Sequence, residues 1–229
     1  MKRKFKNIDK RGVHLVTHSD PKSAISEQYR QIRTNILFSS VDKEVKSIVV
    51  TSAEPSDGKS TTAANLAIVL AQQGKQVLLV DTDLRKPSVH YTFNVSNMDG
   101  LTSVLTKEIS LDKAITKTKV PNLDILTSGP IPPNPSELLD SKSMETILEQ
   151  LKDRFEYVVL DSPPILVVTD SQILAKKCDG VVLVVASGKT HKESALQAKE
   201  LLENARSNIF GVVLNAVESV KNRYYMEYK

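Results

Sequence analysis

Residues 48–67 read IVVTSAEPSDGKSTTAANLA, from Ile48 to Ala67. The β-branched run Ile48–Thr51 predicts a strand, the residues around Pro55 and Gly58 predict a turn, and the small residues after Lys59 predict a helix. A strand that turns straight into a helix at Gly58-Lys59-Ser60 makes a phosphate cradle. The first amides of the helix have no partner within it, and its dipole adds partial positive charge. Lys59 can reach the β- and γ-phosphates, while Ser60 offers its hydroxyl to Mg²⁺. The ligand implied is a nucleoside triphosphate, and Ser56, Asp57, Gly58, Lys59, Ser60 and Thr61 are its candidate contacts. The match to G-x-x-x-x-G-K-[ST] is incomplete, since Ala53 stands where the first glycine belongs.

Two further stretches share this chemistry. QVLLVDTDLRKP, Gln76 to Pro87, reads as a buried strand that ends in Asp81 and Asp83, with Arg85 two residues on. YVVLDSPP, Tyr157 to Pro164, is a second apolar strand, ending in Asp161. In open parallel α/β sheets ligands gather outside the carboxyl ends of the strands, so these carboxylates can converge on one Mg²⁺–phosphate complex. Strand and helix patterns alternate through Asn215, including the valine-rich segment Gly180–Ala186 and the strand Ile209–Asn215. That alternation predicts an α/β fold of the P-loop NTPase kind, with a mostly parallel sheet covered by helices on both faces.

The ensemble resembles the cytoplasmic bacterial tyrosine kinases of capsule and exopolysaccharide operons, over nearly the whole chain. Their phosphate loop, S-x-x-P-x-x-G-K-S, is matched by Ser52, Pro55, Gly58, Lys59 and Ser60. Their second aspartate motif, D-x-D-x-R-K-P, is matched from Asp81, and their third motif by Asp161. Most members carry glycine where this chain has Ser56. The resemblance implies an ATP- and Mg²⁺-dependent protein-tyrosine kinase that phosphorylates its own C-terminal tyrosines and exposed tyrosines of other proteins, and regulates polysaccharide synthesis. In that reading Lys59 holds phosphate, Ser60, Asp83 and Asp161 serve the metal, and Asp81 takes the hydroxyl proton. The reverse division between Asp81 and Asp83 stays open. A transmembrane activator, a cognate tyrosine phosphatase, a homo-oligomeric ring and recruitment from the cytoplasm to the inner face of the membrane are also implied.

Composition sets bounds on this. The 229 residues fit one α/β domain, read here as residues 21–217 between a basic arm (1–20) and a tail (218–229). The single cysteine, Cys178, excludes an intrachain disulfide and suits a reducing compartment. Six of the 31 basic residues and one of the 27 acidic ones lie in the first eleven positions, which leaves 25 against 26 in the rest. A balanced body without tryptophan gives nucleic-acid binding no support. The arm suits an anionic membrane surface or an acidic partner, or is merely solvated. Tyr224, Tyr225 and Tyr228 crowd the last six residues, where no core remains for them to fill.

A helix is predicted from Pro21 to Ser40, with Ile25, Tyr29, Ile32 and Ile36 as its apolar stripe and Glu27, Arg30 and Arg33 on the opposite face. Alone, such charges are a solvated face. Their spacing resembles the family motif that docks subunits in the ring. Gly100–Thr106 and Leu111–Thr116 read as short helices. Asn134, Pro135 and Glu137 make a helix start, and Thr169-Asp170 another. Asn215 either lies near the adenine or forms a turn. The alternative function is a nucleotide-switched ATPase of the septum-site and partition type. Those proteins usually carry an additional lysine early in the phosphate loop, where this chain has Ala53-Glu54-Pro55-Ser56-Asp57.

Overall fold

The computed structural model describes residues 13–39 and 44–218. In chain order the elements are α1 (Val16–Ser19), α2 (Ala24–Phe38), β1 (Ser47–Ser52), α3 (Lys59–Ala71) and β2 (Val77–Asp81). Then come α4 (Val89–Phe93), α5 (Leu101–Leu105), α6 (Leu111–Ala114), β3 (Ile115–Lys117) and β4 (Leu123–Leu126). The chain continues through α7 (Pro135–Asp140), α8 (Lys142–Arg154), β5 (Tyr157–Asp161), α9 (Asp170–Lys177), β6 (Gly180–Ala186), α10 (Lys192–Asn204) and β7 (Ile209–Asn215). The strands form one sheet in the order β3-β4-β2-β5-β1-β6-β7, parallel except for β3. The α/β expectation holds.

Both faces of the sheet are buried, and the period-2 geometry of strands divides their side chains between two cores. Val49, Leu78, Leu160 and Leu183 face the helices α5 to α10. Ile48, Leu79, Val159 and Val182 face α2 and α3. Helix α3 is buried from Thr62 to Ala71 because the sheet covers one side of it and α1 and α2 the other. An apolar helix with no polar face is stable only in such a sandwich.

Several sequence expectations shift. Residues 13–20, read in the sequence as part of the basic arm, are docked against α3 and α4. The buried Asn65 of α3 accepts from Thr17 N at 3.0 Å and Thr17 Oγ1 at 2.8 Å, and donates to the carbonyls of His14 and Thr61. In α2, Ile25 is 53% exposed and Ser26 takes its inward place. Arg33 does not point outward: its Nη1 donates to Val69 O at 2.9 Å. Positions 29, 33 and 36 fall on one helical face, which brings the arginine beside Tyr29 and Ile36. The helix predicted over Leu111–Thr116 stops at Ala114, because Ile115 and Thr116 pair antiparallel with β4. Asn134 and Thr169 start their helices without a side-chain cap; Asn134 binds Glu137 instead. Among the described residues no helix is long and apolar enough to cross a membrane.

Asn65→Ala should lower stability by about 2–4 kcal/mol, since Thr17 and the His14 carbonyl lose buried partners. Urea denaturation should show an earlier midpoint at unchanged slope. A loss below about 0.5 kcal/mol would mean that the docked N-terminal segment contributes nothing to the fold.

Candidate active site

The register of three parallel strands assembles the site. Val50 of β1 stands beside Asp161 of β5, which stands beside Asp81 of β2. In-register neighbours project to the same face, so Asp81 and Asp161 are side by side at the carboxyl end of the sheet, and both are fully buried. The turn out of β1 crosses in front of them. Gly58 opens α3 at φ 98°, ψ 20°, a left-handed geometry that favours glycine, and a Cβ there would lie 1.9 Å from Asn215 Nδ2. This turn brings Lys59 over the carboxylates.

Lys59 Nζ lies 3.0 Å from Asp83 Oδ2, 3.5 Å from Asp161 Oδ1 and 3.2 Å from Ser60 Oγ, with its side chain 12% exposed. Burial works against the ammonium charge, but Asp161 and Asp83 outweigh it and hold the pKa above the ordinary lysine value. Burial pushes the carboxyl of Asp161 up, against the pull of Lys59 and Ser60. Burial and then the charge of Asp161 push that of Asp81 up.

The two motif aspartates do different work. Asp81 has both oxygens committed within its own loop: Oδ1 accepts Asp83 N at 3.2 Å, and Oδ2 accepts Ser88 N and Val89 N, each at 2.9 Å. Asp83 accepts Lys86 N at 3.0 Å with Oδ1 and leaves Oδ2 to Lys59. Asp83 belongs to the wall of a cavity of about 480 Å³, along with Ser56, Gly58, Lys59, Ser60 and Thr61 of the phosphate loop and Pro163-Pro164 after β5. Asp81 does not. Nor do Asp57 and Asn215, which brace the loop from behind: Asp57 Oδ2 accepts Glu54 N at 2.8 Å, and Asn215 Nδ2 donates to Asp57 O at 2.9 Å.

The donor set fits Mg²⁺. Asp161 Oδ2 is buried without a hydrogen-bond partner, an acceptor aimed at nothing in the protein. Among the described residues no three His, Cys, Asp or Glu side chains form a self-sufficient metal centre. An ion here would complete its shell with phosphate oxygens, as Mg²⁺ does in phosphoryl-transfer sites.

Lys189 and Val13 were missed in the sequence, as was the anchoring of Arg85, which had been read only as part of the second aspartate motif. The guanidinium of Arg85 is held by the buried Asp170 of α9 at 2.9 and 3.1 Å and by Ser136 Oγ of α7 at 2.9 Å, which fixes the cavity wall to two helices. Lys189, after β6, reaches the phosphate loop. Val13 lines the cavity from the N-terminal segment. No local pattern marks Lys189, Val13 or the partners of Arg85, for each contact joins residues distant in the chain. Glu27 and Arg30 pair with each other at 2.7 Å on the outside of α2, apart from Arg33. Tyr224, Tyr225, Tyr228 and residues 1–12 lie outside the described residues.

Residues 45–221 match the family described as an AAA domain. The chain is 52% identical over 215 residues to the tyrosine-protein kinase YwqD of Bacillus subtilis, covering 94% of this chain and 91% of that protein. The crystal structure of the chimerical protein CapA2B2 superposes with a TM-score of 0.87 at 45% identity, over 90% of each chain. The septum site-determining protein MinD of Pyrococcus horikoshii, solved with Mg-ADP, has a TM-score of 0.64 at 23% identity over 74% of this chain and 70% of that one. That second likeness is one of fold alone. With a relative this similar along nearly its full length, and with the phosphate loop and strand-end aspartates in one site, the chain belongs to the bacterial tyrosine-protein kinases built on the P-loop fold.

Proposed function

We propose that this chain transfers the γ-phosphoryl group of ATP to tyrosine hydroxyls, its own Tyr224, Tyr225 and Tyr228 among them, and so regulates capsular or exopolysaccharide biosynthesis. One observation carries the reading. A lysine at the start of a phosphate-loop helix lies between two carboxylates, Asp83 in the loop after β2 and Asp161 at the end of β5, the second of which keeps an unpartnered oxygen. Phosphoryl transfer asks a protein chiefly for positioning and charge stabilisation, and this arrangement supplies both.

Lys59 and the loop amides hold the β- and γ-phosphates. Ser60 and Asp161 would hold Mg²⁺, which when bound would offset the negative charge of the phosphates. A tyrosine hydroxyl, with a pKa of about 10, needs a proton acceptor as its oxygen attacks the γ-phosphorus and ADP departs. Asp83 on the cavity wall suits that task better than Asp81, whose oxygens shape the 81–89 loop. Of the two divisions that the sequence left open, this is the reverse one.

The family resemblance supports a homo-oligomeric ring, a transmembrane activator that recruits the chain to the inner face of the membrane, and an opposing tyrosine phosphatase. Glu27 and Arg30 are the candidate docking pair. Arg33 acts instead as a cap on α3.

Incubation with ATP and Mg²⁺ followed by mass spectrometry should find phosphotyrosine at Tyr224, Tyr225 and Tyr228, and none in the Lys59→Met chain. Phosphotyrosine retained by that variant would overturn the assignment of the loop. Asp83→Asn should reduce kcat at least about a hundredfold with ADP affinity nearly intact, as for a group acting on the transition state. Asp81→Asn should also cost about 2–3 kcal/mol of stability, because an amide cannot accept all three N–H donors. Equal thermal midpoints for the two variants would argue against this division. The Glu27→Ala/Arg30→Ala double variant should be smaller than the unaltered chain by light scattering. An unchanged size would return the pair to ordinary surface charge.

A further inference from the structure

The phosphate loop contains a turn that its own residues do not favour. Ser56 has φ 65°, a left-handed conformation disfavoured for any residue with a Cβ, and it lines the cavity two residues before Gly58 and three before Lys59. Its two neighbours are gripped from outside. Lys189 Nζ donates to the Pro55 carbonyl on one side of Ser56 and lies 3.3 Å from Asp57 Oδ1 on the other. Asp57 is fully buried, and Lys189 is the one cation paired with it among the described residues. Ser194 Oγ, on α10, adds a bond to Glu54 Oε1 at 2.7 Å. The Lys189 side chain is itself 47% exposed and takes no part in either core.

We propose that Lys189 is a positioning residue for the nucleotide: by clamping Pro55 and Asp57 it holds Ser56 in its left-handed turn and so keeps the loop amides aimed at the phosphates. This deepens the reading of the same site given above and rests on it. The clamp acts on the loop before chemistry, so its loss appears in nucleotide affinity rather than in the transfer step.

Calorimetric titration of the full-length chain with Mg–ADP tests this, with Lys189→Met, Lys189→Arg, Ser56→Gly and the Lys189→Met/Ser56→Gly double variant. Lys189→Met should bind about fivefold more weakly, the low end for a charge-assisted contact because the lysine is partly exposed. KM for ATP should rise in proportion while kcat at saturating ATP stays the same, and Lys189→Arg should restore both. Glycine adopts the turn freely, so Ser56→Gly should recover more affinity in the Lys189→Met background than it adds to the unaltered chain. Binding by Lys189→Met as tight as that of the unaltered chain would overturn the proposal, as would an equal gain from Ser56→Gly in both backgrounds. If the unaltered chain binds no Mg–ADP, the nucleotide site itself is wrong and the clamp falls with it.

Discussion

Two buried carboxylates in register on adjacent parallel strands, Asp81 and Asp161, set the terms for the rest of the molecule. Like charges so close, out of water, are tolerated only where donors and cations face them. Backbone amides of the 81–89 loop surround Asp81, and the ammonium of Lys59 answers Asp161 and Asp83. The site therefore requires β1 beside β5 and β5 beside β2, with α3 starting where the lysine arrives over the strand ends. The central order β2-β5-β1 and the start of α3 at Lys59 satisfy both conditions.

The elements that carry these charges are held from both sides. Helix α3 is enclosed by the sheet and by the N-terminal layer, and Asn65 and Arg33 join that layer to it through hydrogen bonds as well as apolar contact. On the opposite core, Arg85 runs from the aspartate loop to Asp170 and Ser136, so the cavity wall moves only if α7 and α9 move with it. A phosphate site needs its donors preorganised, since amides that must reorient on binding lose part of their electrostatic advantage. The phosphate loop is braced likewise, by Asn215 at the end of β7 and by Lys189 after β6.

Some of this was legible in the chain before any coordinate. The strand-turn-helix reading at Ile48–Ala67, the two aspartate-tipped strands and the alternation through Asn215 are local patterns, and each survives in β1, α3, β2, β5, β6 and β7. Hydrophobic period, glycine at a left-handed cap and a carboxylate at a strand end are properties of short segments, which is why they show in the sequence. Errors arose where a segment was read without its neighbour. Ile115 and Thr116 joined a strand because β4 offers an edge, and Arg33 turned inward because α3 ends beside it.

Sequence alone thus determined the fold class, the phosphate loop and the set of aspartates from which the site is built. Tertiary structure decided which aspartate meets the cavity, that Asp57 and Asn215 support the loop from behind it, and that Arg85 answers Asp170, eighty-five residues away. The physical reason is range. Propensity and periodicity act within a few residues, whereas the orientation of a buried polar group is set by whichever donor or acceptor the folded chain brings to it.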